Sequence, residues 1–250
     1  INNELMLWLL CRPELVPVVD FFYFPEERAE KFWYKLLNRG YTLGCSGTSD
    51  AAFDVGRSPC SSHATFAKVG GQIAGDKLVK AFYEGRTMVS YRGAAVVMEI
   101  DGKTSGDTFV PGETVRKLKV DAYADPGKAM TLRVIRNGEV FAEKTVTVPA
   151  DGKFALEREI VERGNAWYVA MLKNAGSVSP RAAASPIYFR GSDFKAPEVV
   201  PLRLPLPRHI KERLLYLTPD EVDTDEWHEE LKKMLKEAAQ WGRKAFVRLA

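Results

Sequence analysis

The sequence predicts an α/β segment followed by an antiparallel, immunoglobulin-like β-sandwich and a C-terminal helix. Three observations lead there. Helix-type and strand-type runs alternate up to about residue 95. Apolar residues then recur at period two to about residue 190, with turn signals between the runs. A proline-rich stretch finally leads into a segment of helical periodicity. The implied divisions are residues 1–95, 96–190 and 191–250.

Residues 5–10 are apolar, but the run is far shorter than the roughly 18 residues of a membrane span. It follows Glu4 rather than a basic flank, which makes it a poor signal peptide. With Ile1 at the start, the chain reads as a processed or truncated product that begins near a buried helix. Residues 18–24 suit a buried strand ending at Pro25. Ala29, Phe32, Trp33, Leu36 and Leu37 then mark one face of a helix. Glu26 and Glu27 stand in its first turn, Lys35 and Arg39 in its last, and Gly40 at the cap. Residues 41–45 read as a strand and Gly47-Thr48-Ser49-Asp50 as the loop after it. A strand at 63–69 precedes a helix at 76–84 with Leu78, Ala81 and Phe82 facing inward. Strand and helix in short alternation imply parallel pairing with helices outside.

From residue 96 the period changes. Leu118, Val120, Ala122 and Ala124 alternate with polar neighbours, as in a half-buried strand. Asn137-Gly138 between two such runs signals a hairpin, because both residues tolerate positive φ, and Asp151-Gly152 repeats the device. Residues 166–172 are apolar on both faces, as a central strand would be. Roughly seven strands of a sandwich are expected. Pro197, Pro201, Pro205 and Pro207 mark a linker. Asp223, with Glu226 in the capping-box position, opens a helix whose face of Trp227, Leu231, Met234, Leu235, Ala238 and Trp241 calls for docking, in cis by expectation.

A net charge of +3 with 28% charged residues gives no clustered basic stripe, so nucleic acid is not an expected partner, and neither is a membrane. Cys11, Cys45 and Cys60 lack zinc-knuckle spacing, and their number leaves a cytoplasmic or a secreted or periplasmic setting open. No serine-nucleophile elbow, P-loop or dinucleotide fingerprint is present.

Several stretches together resemble the PHP (polymerase and histidinol phosphatase) superfamily, in its carbaryl-hydrolase-like branch. They are residues 33–41 (WYKLLNRGY), 47–50 (GTSD), 55–57 (VGR), 85–87 with Val89-Ser90, 100–102, 106–108 and 135–139 (IRNGE). The resemblance spans about residues 18–140 and rests on order and spacing. It implies that residues 1–95 are the C-terminal part of a PHP-like α/β barrel. The whole would then be the C-terminal portion of a metal-dependent hydrolase acting on a phosphoester or a carbamate or carboxylate ester. It implies Asp50 as a metal ligand and a divalent metal (Mn, Zn, Fe or Mg) in the intact protein, acidifying a bound water. The chain departs from the pattern at Ala52, where many PHP proteins carry His, and holds only His63, His209 and His228. One carboxylate cannot hold a catalytic metal, so the chain is incomplete as an enzyme of that type.

Each site residue also has an ordinary reading. Asp50 suits a turn cap as well as a ligand, with Asp54 as a neighbouring alternative. Arg57 suits bidentate substrate binding or an ion pair. His63 suits substrate binding, or a hydrogen-bonded place at a strand end. Tyr23, Trp33 and Tyr34 suit a pocket wall or the core, and Cys45 a redox role or inert burial. A partial barrel would leave sheet edges and the helical face at 29–37 uncovered. A missing N-terminal half or a homodimer is therefore expected to pack there. The alternative function is a non-catalytic, degenerate protein, without metal in this chain, whose sandwich binds glycan or protein, with exposed aromatics such as Tyr123 as its mark.

Overall fold

The computed structural model describes residues 18–20, 26–47, 63–196, 229 and 233. The elements are β1 (Val18–Asp20), α1 (Glu26–Asn38), β2 (Gly44–Ser46), β3 (His63–Ala67), α2 (Gly75–Tyr83), β4 (Thr87–Tyr91) and β5 (Ala95–Ile100). There follow β6 (Lys103–Thr104), β7 (Thr108–Phe109), β8 (Arg116–Tyr123), β9 (Ala129–Arg136), β10 (Glu139–Thr147), β11 (Lys153–Ile160), β12 (Ala166–Asn174), β13 (Pro180–Ala184) and β14 (Ile187–Phe189). All of them lie in one compact unit, Pro17–Ala196.

Two sheets make a β-sandwich. One runs β10-β9-β12-β13-β4-β3, with β14 beside β12 and β7 beside β14; the other runs β11-β8-β5-β6. The period-two pattern decides which side chains meet. Leu118, Val120 and Ala122 of β8 join Met98 and Leu156 in a core with Leu132, Val134, Tyr168, Ala170 and Leu172 of the larger sheet. Asn137 (φ 50°) and Gly138 (φ 92°) form the tight β9–β10 turn, with Arg136 opposite Glu139. Asp151-Gly152 works differently from expectation. β10 pairs with β9 and β11 with β8, so this turn carries the chain from one sheet to the other.

β12 is buried from Ala166 to Lys173, as its two-faced apolar run requires. One face is in the sandwich core. The other lies under a β1-α1-β2 layer, in which β1 and β2 pair in parallel from Val18↔Gly44 to Asp20↔Ser46. Trp33, Leu36 and Leu37 of α1 are buried and Phe32 is half-buried within the chain. The helix closes as a Schellman motif: Gly40 (φ 90°) donates to the Leu37 carbonyl at 3.0 Å and Tyr41 to that of Leu36 at 3.2 Å. Tyr34 reaches β12, its ring 5.3 Å from that of Trp167 and its hydroxyl 3.2 Å from Met171 Sδ. Hydroxyls pin β2 to the same sheet: Cys45 N donates to Ser185 Oγ at 2.9 Å, and Thr87 Oγ1 to the Cys45 carbonyl at 2.7 Å.

Up to residue 95 the parallel pairing is confined to β1 and β2, and the expected barrel portion is not found among the described residues. β3 pairs antiparallel with β4, from His63↔Tyr91 to Ala67↔Thr87, and β4 with β13, so residues 63–91 extend the sandwich. Periodicity reports which face is apolar but not strand direction, which is why the two architectures read alike. The intervening helix α2 is not a crossover helix. A crossover helix must bury a stripe against its sheet, whereas Ala81 alone is buried in α2. Leu78, expected to face inward, is 38% exposed, and Phe82 is half-buried. Of the expected C-terminal helix, Glu229 and Lys233 are helical and exposed, and the rest lies outside the described residues. No described helix is long and apolar enough to cross a membrane.

Candidate functional site

Asp50 and Arg57, together with Asp54 and Tyr23, lie outside the described residues. His63 opens edge strand β3, half-buried, with its ring 4.5 Å from that of Tyr91. Burial lowers its pKa from the usual imidazole value, Asp20 acts in the opposite direction, and Arg181 lowers it further. His63 lines none of the clefts described below. Trp33 is core, its Nε1 donating to the Leu43 carbonyl at 3.1 Å. Cys45 is fully buried, its pKa pushed up to about 12 by burial, which makes it inert as a nucleophile. Tyr123 is exposed on the outer face of β8, with Lys153 Nζ 5.9 Å from its ring centroid. Among the described residues, no group of three or more His, Cys, Asp or Glu is placed to hold a metal ion.

The sandwich instead offers a cleft of about 440 Å³ where the end of α1, the β9–β10 turn, the start of β12 and the end of β14 converge. That volume is in the range of small-ligand sites. Two features of the local sequence build it. Asn38, the last residue of α1, ties the helix to the sheet: its Nδ2 donates to the Asn137 carbonyl at 3.2 Å, and its Oδ1 accepts from Trp167 Nε1 at 2.9 Å. Asn137 Oδ1 accepts from Trp167 N at 2.9 Å, while Asn165 Oδ1 accepts from Gly191 N at 2.7 Å. Each of these amides has further hydrogen-bonding capacity beyond the bonds it makes.

The second feature is charge. Arg39, Arg190 and Lys195 line the cleft, and no carboxylate does. Arg190 lies one position past β14, two residues after Tyr188, and strand geometry puts both side chains on one face. Its guanidinium sits 4.2 Å from the Tyr188 ring centroid and 4.4 Å from that of Phe194, and donates to Thr42 Oγ1 at 2.7 Å. Burial lowers the Arg190 pKa from its usual value, and no described ion pair involves Arg39, Arg190 or Lys195. An arginine stays charged regardless, so the cleft holds a partly desolvated cation without an anion. The nearest acidic contact is indirect, Asp193 accepting from Asn165 Nδ2 at 3.4 Å.

A second cleft, of about 470 Å³, lies between α1 and strands β9 and β12. It contains its own countercharges, Glu30 Oε1 and Lys173 Nζ being 2.6 Å apart. That leaves less for a ligand to gain there.

Asn137 sits in the turn the sequence predicts, Arg39 lies one residue past the end of α1 rather than in its last turn, and nothing in the sequence pattern brings the two together. Arg190 carried one usable signal, its i, i+2 spacing from Tyr188 at a strand end.

No family model and no curated protein matches the chain. Solved structures give weak likenesses. A CARDB domain from Pyrococcus furiosus, solved in solution, is 15% identical over 39% of this chain and 94% of its own, with a TM-score of 0.30. The crystal structure of that domain with di-metal ions gives 15%, 41%, 91% and 0.30 for the same quantities. Fibronectin(III)-like modules from Clostridium thermocellum give 17%, 38%, 97% and 0.26. The resemblance to the PHP superfamily is corrected here: no such family matches, and residues 85–91, on which it partly rested, belong to an antiparallel strand of the sandwich and its approach.

Proposed function

We propose that residues 17–196 form a binding module whose ligand is an acidic saccharide, held in the cleft between the end of α1 and the end of β14. The observation that carries this reading is the lining itself: three cations, three carboxamides and no carboxylate around about 440 Å³. Carboxamides match the mixed donor and acceptor character of sugar hydroxyls, and guanidinium pairs bidentately with a carboxylate. Phe194 and Tyr188 hold Arg190 in place, which lowers the ordering cost of binding. The small-ligand volume favours a saccharide over a protein surface, which needs a wide face.

Isothermal titration of the full chain with an oligouronate tests the reading. Arg39→Gln combined with Lys195→Gln should weaken binding by about tenfold, since each removes a charge at the rim without touching the core. Arg190→Gln should abolish it. Unchanged affinity in these variants, with the fold intact by circular dichroism, would overturn the proposal.

A further inference from the structure

β12 ends at a second basic cleft, of about 420 Å³, lined by Arg92, Lys128, Asn174 and Arg181, with Asp125 as its one acidic residue. The first cleft takes Ala166 and Trp167 from the start of the same strand. Nine residues of strand, about 30 Å, separate the two poles, so they are different sites.

Both arginines of this cleft use a single ring. Arg181 Cζ lies 4.4 Å and Arg92 Cζ 5.3 Å from the Tyr91 centroid. Such stacking holds each guanidinium in place while leaving its edge donors available. Arg92 occupies the β4–β5 turn at φ 52°, followed by Gly93 at φ 78°, with Ala94 N donating to the Tyr91 carbonyl at 3.3 Å. Asn, Asp or Gly is the usual occupant of that turn position. A long cationic side chain in the left-handed region is uncommon, and such residues concentrate where a ligand or switch needs them. Arg92, Lys128 and Arg181 enter no ion pair with a described carboxylate, and Asp125 enters none with a described cation.

The geometry points to this cleft as a binding site for a tetrahedral oxyanion, phosphate or sulfate, free or as an ester on a sugar. Two fork-shaped guanidinium groups and one ammonium supply the donors that three or four oxyanion oxygens accept. Asn174 adds an amide, and Asp125 sets a repulsion that the three cations outweigh. The assignment is independent of the saccharide cleft, with which it shares no residue.

The test is an NMR titration of the full chain with inorganic phosphate, read at the Tyr91 ring under both arginines and at His63, one of only three histidines. Saturable shifts are expected, with the dissociation constant raised about tenfold in Arg181→Gln. In Asp125→Asn it should fall about two- to threefold, a gain that misfolding cannot imitate. Identical shifts with sodium chloride at matched ionic strength, or constants unmoved in both variants, would overturn the assignment. Inorganic sulfate against a sulfated disaccharide separates the sources. Tighter binding of the disaccharide, lost in Arg181→Gln, assigns the ester, and equal affinity assigns the free ion.

Discussion

Lys173 on β12 and Glu30 on α1 meet at 2.6 Å where both are almost wholly buried, and Lys173 also donates to the Val178 carbonyl at 3.1 Å. Removing one partner leaves the other charge in a poor solvent. Lys173→Met should therefore destabilise the protein by ~3 kcal/mol in urea titrations. Glu30→Gln on that background should recover part of the loss, as a coupled pair requires. Cys45 gives a prediction with the opposite chemistry. Its thiol is raised from 9.0 to about 12 in the fold by burial, so the folded state binds the proton more tightly than the unfolded state. Its contribution is complete below pH 9 and is lost as pH rises from there toward about 12. In a variant with Cys11 and Cys60 replaced by Ser, labelling of Cys45 by iodoacetamide at pH 8 should proceed only through unfolding, and prompt modification of the native protein would contradict the burial. Inert burial of Cys45 could be read from the sequence, because a cysteine inside an apolar strand is ordinary core. The cleft residues could not. Asn38, Asn165 and Arg190 are polar residues at element ends, and only folding brings the three ends together.

At the level of elements, the turn between β6 and β7 is set by one close approach. Gly106 has φ 87°, its N–H donates to the Pro186 carbonyl at 2.7 Å, and a Cβ there would lie 2.0 Å from the Glu84 carbonyl oxygen. Gly106→Ala should cost more than ~2 kcal/mol, since both the conformation and the space exclude a side chain. The corner is also fixed by charge: Asp107 accepts from Thr104 N at 2.8 Å and pairs with Arg86 at 3.1 Å. Most elements were legible beforehand for stated reasons. α1 carried a full apolar face and a glycine cap, β8 a strict alternation, and the β9–β10 turn an Asn-Gly pair. β3 and β4 were legible as strands but not in direction. The helix between them was short and amphipathic, and from sequence it could not be told from a crossover helix. Its exposure in the fold, with Val79 at 56%, is what separates the two cases.

For the molecule as a whole, the β1-α1-β2 layer and the sandwich share side chains across their boundary and should unfold together. Trp33 and Trp167 report on that boundary, being buried on α1 and β12 respectively. In a variant with Trp8, Trp227 and Trp241 replaced by Phe, tryptophan fluorescence and far-UV circular dichroism should give one urea midpoint. Two separated transitions would mean that the layer is an independent body. This shared packing also supports the acidic-saccharide cleft, because its walls come from both parts and Asn38 is the tie between them. The most direct measurement is a calorimetric comparison of an oligouronate with its fully methyl-esterified counterpart, which keeps the sugar hydroxyls and removes the charge. The acid is expected to bind, and the ester to bind at least about tenfold more weakly. Equal affinity for the two, or binding of neither, would contradict the acidic-saccharide reading.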